Sequence, residues 1–286
     1  MMAVVPLSLV GLSQDGPPRW RTEPEPLPMP TPLRSGFAPV NGIAMFYAIY
    51  GSGPPILLIH GGLSNADVWS AEIPGLAAHH EVIVADSRGH GRSTMTGARL
   101  TYDLMASDYL ALLDYLGIPK VAVVGWSDGG VIGLDLAIHH PDRLTALFAQ
   151  AANASPDGLT WTPTAADALH SPGGRDQAEY ERLSPTPDHF MAFRKEVFEM
   201  WATEPHFTRE QLASIKVRTA IVIGDHDQMV RRDHTEYMAR TIPGAKLIIL
   251  PDVSHFALLQ DPVTYVRTVL DFIDADKGPA AAAPQN

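Results

Sequence analysis

Three short segments carry residue types that can together perform nucleophilic catalysis. The first is Gly125-Trp126-Ser127-Asp128-Gly129, which directly follows the apolar run KVAVV and directly precedes VIGLDLAIHH. A strand running through a sharp turn into a helix holds a serine at the helix N-terminus, where N–H groups favour developing negative charge. Glycines two before and two after Ser127 let the strand and helix backbones approach closely. A serine hydroxyl is a weak nucleophile and needs a base. Of the 12 histidines, His255 is the best placed. It sits in Pro251-Asp252-Val253-Ser254-His255-Phe256, between the run KLIIL and the last helical stretch. The other histidines read as caps, surface or loop residues without a partner pattern.

The base in turn needs an orienting carboxylate. The run AIVIG ends at Gly224 and is followed by Asp225-His226-Asp227. The spacing favours Asp227 over Asp225. A tetrahedral intermediate needs N–H donors for its oxyanion. One is expected from Asp128, the residue after the serine. The second is expected from His60-Gly61-Gly62-Leu63, with Gly62 favoured and Leu63 the neighbouring alternative. His60 reads as a structural residue that holds this loop. The side chain of Asp128 reads as a first-turn complement to the helix dipole.

These residues must be positioned by a sheet. Apolar or β-branched runs occur at residues 43–50, 56–60, 82–86, 120–125, 144–151, 218–224 and 246–250. Continuous runs such as ILLIH, VIVAD and VAVVG suit strands buried on both faces of a parallel sheet. Helical patterns lie between several of them, including residues 103–116 with Asp103 as the expected N-cap. This alternation predicts an α/β doubly wound architecture. From about residue 153 to 215 the alternation stops. That stretch is loop-like at first, then helical and aromatic through Phe190, Phe193, Phe198 and Trp201, and it reads as a cap over the carboxyl edge of the sheet. Its aromatics are expected mainly to form cap core, with some lining an apolar pocket.

Composition narrows the chemistry. The 286 residues carry 21 basic and 32 acidic side chains, a formal net charge of −11, which argues against binding to a phosphate backbone. There is no cysteine, which removes thiol catalysis, thiolate metal sites and disulfides. No apolar run approaches a membrane span. His226-Asp227 and Asp233-His234 lack zinc-site spacing, so no metal and no cofactor is expected. Nine of the 25 prolines fall in the first 40 residues. Residues 1–36 therefore read as a Pro-rich arm outside the core and outside the chemistry. MMAVVPLSLVGL is faintly like a signal peptide but lacks a positive start, so a cytoplasmic location is expected, with export as the alternative. The tail at 276–286 reads as low-complexity.

The ordered set Ser127…Asp227…His255, together with the Gly61-Gly62 loop, resembles the α/β-hydrolase superfamily, in particular its lid-bearing serine esterase and lactonase branch. The resemblance extends from about Gly36 to Asp274. It includes Asp86-Ser87-Arg88-Gly89-His90-Gly91-Arg92-Ser93, similar to a turn that is mainly structural in the family. GWSDGG is similar to the elbow of valacyclovirase-type hydrolases, whose cap carries an acidic residue that recognises a substrate amine. Asp167, Asp176, Glu179 and Glu181 are all candidates here, so that specificity is not transferred. The resemblance implies a mostly parallel eight-stranded sheet with flanking helices, built from residues 37–153 and 216–275, with a helical cap at 154–215. It also implies a small-molecule ester or lactone as substrate, with no nucleic-acid or membrane partner. Serine in place of the aspartate of dehalogenases and epoxide hydrolases implies an acyl-enzyme. Amidase, C–C hydrolase and cofactor-free haloperoxidase chemistry, or a non-catalytic receptor of the same fold, remain open because the fold does not fix the substrate.

Overall fold

The computed structural model describes residues 16–164, 167 and 174–275. The leading 15 residues and the tail at 276–286 lie outside the described residues. Eight strands form one sheet: β1 (Arg34–Val40), β2 (Ile43–Tyr50), β3 (Pro55–Ile59), β4 (Glu81–Ala85), β5 (Val121–Trp126), β6 (Leu144–Gln150), β7 (Thr219–Gly224) and β8 (Lys246–Leu250). Their order across the sheet is β1-β2-β4-β3-β5-β6-β7-β8. β1 pairs antiparallel with β2, and β2 with β4, while every other pair is parallel. β3, β5 and β7 are buried along almost their whole length, which is why they read as uninterrupted apolar runs.

β1 was not among the runs legible in the sequence. It is an edge strand with Gly36 and Pro39 inside it and Phe37 turned outward, so its apolar pattern is weak. Its first residues, Arg34 to Gly36, pair with Ile49, Ala48 and Tyr47.

Helices cover both faces, as parallel strands require. Among the described residues they are α1 (Ile73–Ala77), α2 (Tyr102–Leu116), α3 (Asp128–His139), α4 (Arg175–Leu183), α5 (Phe190–Thr203), α6 (Arg209–Ser214), α7 (Arg232–Thr241), α8 (Ala257–Gln260) and α9 (Pro262–Ile273). One apolar cluster joins Leu112, Leu136, Leu212 and Met238 to one face, and a second joins Leu76, Leu258, Tyr265 and Phe272 to the other. The N-cap of α2 is Thr101, whose side chain accepts the Leu104 N–H; Asp103 instead lies in the first turn. Thr101 has the extended backbone that a cap needs, and Asp103 is already helical. α4, α5 and α6 lie between β6 and β7, and no strand is found among the described residues of that stretch. Among the described residues no helix is long and apolar enough to cross a membrane.

The topology makes a crevice. After β3 the chain adds β4 on one side, then crosses to place β5 on the other. Ligands collect at such a switch point, beyond the carboxyl ends of the strands. The loop after β3 and the turn after β5 meet there because Ile59 is paired with Gly125.

Candidate active site

Ser127 stands between β5 and α3 with φ 55° and ψ −119°, a backbone conformation that side chains rarely adopt. It is held by surroundings that leave no alternative. The Ser127 N–H donates to the Gln150 carbonyl at 2.8 Å, and the Ser127 carbonyl accepts from Gly130 and Val131. A Cβ on Gly125 would meet the Gly129 backbone, and one on Gly129 would meet the Ile59 carbonyl. Both glycines are therefore needed for close backbone approach, beyond any flexibility they lend the turn.

Asp227 and His255 arrive side by side because β7 and β8 pair through Gly224 and Leu250. A Cβ on Gly224 would strike the Val253 and Ser254 carbonyls, so this crossing also needs glycine. His255 Nε2 lies 3.0 Å from Ser127 Oγ. Its Nδ1 lies 3.1 and 3.2 Å from the two carboxylate oxygens of Asp227. A carboxylate only accepts, so Nδ1 carries the proton and Nε2 is left to accept from the serine hydroxyl. Asp227 also accepts the Met229 and Val230 N–H groups, at 2.8 and 2.9 Å. The His255 carbonyl accepts from Trp126 Nε1 at 2.8 Å, which fixes the loop behind the ring. The His255 and Asp227 side chains are buried, at 4% and 1% exposure, so water competes little for their contact. Asp225 makes no such contact with the ring; its carboxylate faces the Val253 N–H instead.

The loop after β3 lies against this group. Gly61, Gly62 and Leu63 share a cleft with Ser127 and His255. His60 holds the loop: its Nε2 accepts the Ser87 N–H at 2.9 Å and its Nδ1 donates to the Gly61 carbonyl. Burial pushes the His60 imidazole down to about 4, so it is neutral at ordinary pH and keeps that lone pair. A side chain at Gly62 would collide with the Asp128 carboxylate and the Trp201 ring.

The Asp128 side chain does more than complement a dipole. It accepts from the Tyr102 hydroxyl at 2.9 Å and from Trp201 Nε1 at 2.9 and 3.0 Å. Burial raises its pKa to about 6, against the lowering effect of those two donors. Asp128 thus ties α2 and α5 to the turn. Sequence reasoning missed this because the three partners are far apart in the chain and no local pattern joins them.

The cleft encloses about 350 Å³. Its apolar lining includes Leu63, Val68, Trp126, Trp201, Met229 and Phe256. Of the cap acids considered, Asp176 and Glu179 reach it. Glu181 is engaged by Gln177 on the helix surface, and Asp167 by Thr164. Of the cap aromatics, Phe190, Phe193 and Phe198 are buried, and Trp201 faces the cleft. The Asp86–Ser93 turn is a structural network. Asp86 accepts from Ala66, Arg92 and the Arg92 guanidinium, and the buried Arg88 pairs with Asp108 at 2.6 Å. Among the described residues, Asp225, His226 and Asp252 bring potential metal ligands within 4.8 Å of one another, all exposed.

The sequence matches a family described as alpha/beta hydrolase fold over residues 54–189. A putative carbamate hydrolase RutD of Pseudomonas savastanoi is 27% identical, across 77% of this chain and 94% of that protein. The serine hydrolase BPHL of Mus musculus is 26% identical, across 85% and 87%. Among solved structures, the enol-lactonase of Burkholderia xenovorans LB400 superposes with a TM-score of 0.70 at 25% identity, covering 83% of this chain and 99% of that one. A hydrolase of Pseudomonas aeruginosa PA01 gives 0.71 at 26% identity, covering 84% and 98%. With its eight-stranded, mostly parallel sheet, its strand order and its likeness to these proteins, all of them hydrolases, the chain has the α/β-hydrolase fold.

Proposed function

We propose that the protein is a serine hydrolase that cleaves small or medium carboxylic esters, lactones included, through an acyl-enzyme. The observation that carries this reading is the relay itself: Ser127 Oγ, His255 and Asp227 in line at hydrogen-bond distance, with the serine strained toward a cleft. His255 accepts the Ser127 proton as the oxygen attacks the carbonyl carbon. The Gly62 and Asp128 N–H groups receive the oxyanion. His255 then protonates the leaving alcohol, and a water deprotonated by His255 attacks the acyl carbon to release the acid. In a lactone the alcohol remains tethered to the acyl group, so one hydroxy acid is released.

The apolar lining favours a hydrophobic acyl or alcohol group. The enol-lactonase and the pimeloyl-[acyl-carrier protein] methyl ester esterase of Aeromonas hydrophila among its relatives support ester and lactone chemistry. The direct test is turnover of p-nitrophenyl acetate and butyrate by the protein and by Ser127→Ala. Turnover that disappears in the variant supports the mechanism, and turnover retained there defeats it. A panel of lactones, amides and carbamates run alongside identifies the preferred bond.

A further inference from the structure

The Pro-rich segment, expected to lie apart from the chemistry, is built into the cleft. Glu23 and Pro26 line the same cavity as Ser127 and His255. The segment is fastened at both ends and in the middle. On the β8 side, Arg19 pairs with Asp261 at 2.7 Å and donates to the Asp252 carbonyl. Trp20 stacks on His226 at 4.3 Å between ring centroids, and Gln260 donates to the Thr22 carbonyl at 2.6 Å. In the middle, Arg175 of α4 holds the Glu23 carboxylate at 2.6 Å and the Pro24 carbonyl at 2.8 Å. On the far side, the Leu33 N–H donates to Ile49 of β2, and β1 begins at Arg34.

The dimensions agree with a crossing of the whole sheet. The stretch from Trp20 to Arg34 spans about 40 Å at the polyproline rise of ~3.1 Å per residue. Eight strands at ~4.8 Å separation are about 34 Å wide. Alternating prolines stiffen such a span before it docks, so ordering it costs little chain entropy.

We propose that this strap forms one wall of the substrate cleft, and that Glu23 and Pro26 limit the size of the acyl or alcohol group it admits. The size preference rests on the ester-hydrolase reading; the wall itself does not. The chain has no cysteine, so one introduced thiol reports cleanly. Met229→Cys places it in the cleft wall. Its reaction with N-ethylmaleimide and with the bulkier fluorescein maleimide is compared in the full chain and after adding Arg19→Ala/Trp20→Ala, which removes the anchors outside the cleft. Glu23→Ala serves as a second, single release. The bulky-to-small rate ratio should rise about fivefold or more when the strap is released. Without the thiol, the same strap variants should raise kcat/KM for p-nitrophenyl octanoate relative to acetate by about tenfold, with acetate turnover in the Arg19→Ala/Trp20→Ala form within about twofold of the parent. An unchanged thiol ratio in both release variants overturns the wall. A changed thiol ratio with an unchanged acyl preference overturns the size selection. A changed thiol ratio in a protein that hydrolyses no ester upholds the wall and defeats the proposed function instead.

Discussion

The turn carrying Ser127 and helix α4 border one cleft but are held in place by different forces. α3, which follows Ser127, buries every residue from Asp128 to Ala137. α4 buries Tyr180 alone and meets the strap through charges and carbonyls. The first region is fixed by backbone packing in which a single added carbon collides with main chain. The second rests on one buried aromatic, Tyr180 stacked on Phe193, and on part-exposed ion pairs, each worth about 0–1 kcal/mol. The difference suits the tasks proposed for them: a nucleophile and its base must stay within hydrogen-bond reach of each other, whereas a substrate rim tolerates looser support.

The sharpest way to break the comparison is at its chemical centre. Ser127→Ala should lower ester turnover by about 10³-fold or more with little change in Tm, checked by steady-state assay and thermal melts. Next comes the backbone around it. Gly129→Ala pushes a methyl into the Ile59 carbonyl and should cost roughly 3 kcal/mol or more of stability in denaturant titrations, with activity lost as well. A smaller effect is expected at Asp128→Ala. It leaves the Tyr102 hydroxyl and Trp201 indole without their acceptor, at about 1–3 kcal/mol, visible as a lower urea midpoint. Such a loss would mark a strong tie between the turn and α5.

A pH experiment probes the buried side independently. Glu72 is fully buried, neither carboxyl oxygen has a partner among the described residues, and burial raises its pKa to about 8. A raised folded-state pKa means that stability is fully present below about pH 4.5 and is lost as pH rises toward and through about 8. Glu72→Gln should therefore flatten the fall in Tm across that window, measured as Tm against pH for both proteins. The smallest effect belongs to the rim. Arg175→Ala should lower stability by about 1 kcal/mol or less, yet shift acyl preference, because it frees Glu23 and Pro24.

Legibility in the sequence divided along the same line. GWSDG between KVAVV and VIGLDLAIHH could be read because strand, turn and helix are all local in the chain. AIVIG before Asp227 and KLIIL before His255 could be read for the same reason. β1 could not, because an edge strand with Gly36 and Pro39 carries no burial pattern along half its length. Thr101 was overlooked in favour of Asp103, since both are capping types and only backbone conformation separates them. The strap was misjudged because proline-rich sequence signals extended chain and says nothing about what that chain lies against.

By itself, the sequence determined the alternation of strands and helices, and it singled out Ser127, His255 and Asp227 as the proposed nucleophile, base and acid. Continuous apolar runs, period-3.6 burial and the glycines flanking Ser127 are properties of neighbouring residues. Tertiary structure alone decided that Asp128 takes its hydrogen bonds from Tyr102 and Trp201, and that Glu23 and Pro26 stand at the cleft. Those contacts join residues more than 25 positions apart, and what brings them together is the pairing of strands and the docking of the cap, which no local pattern encodes.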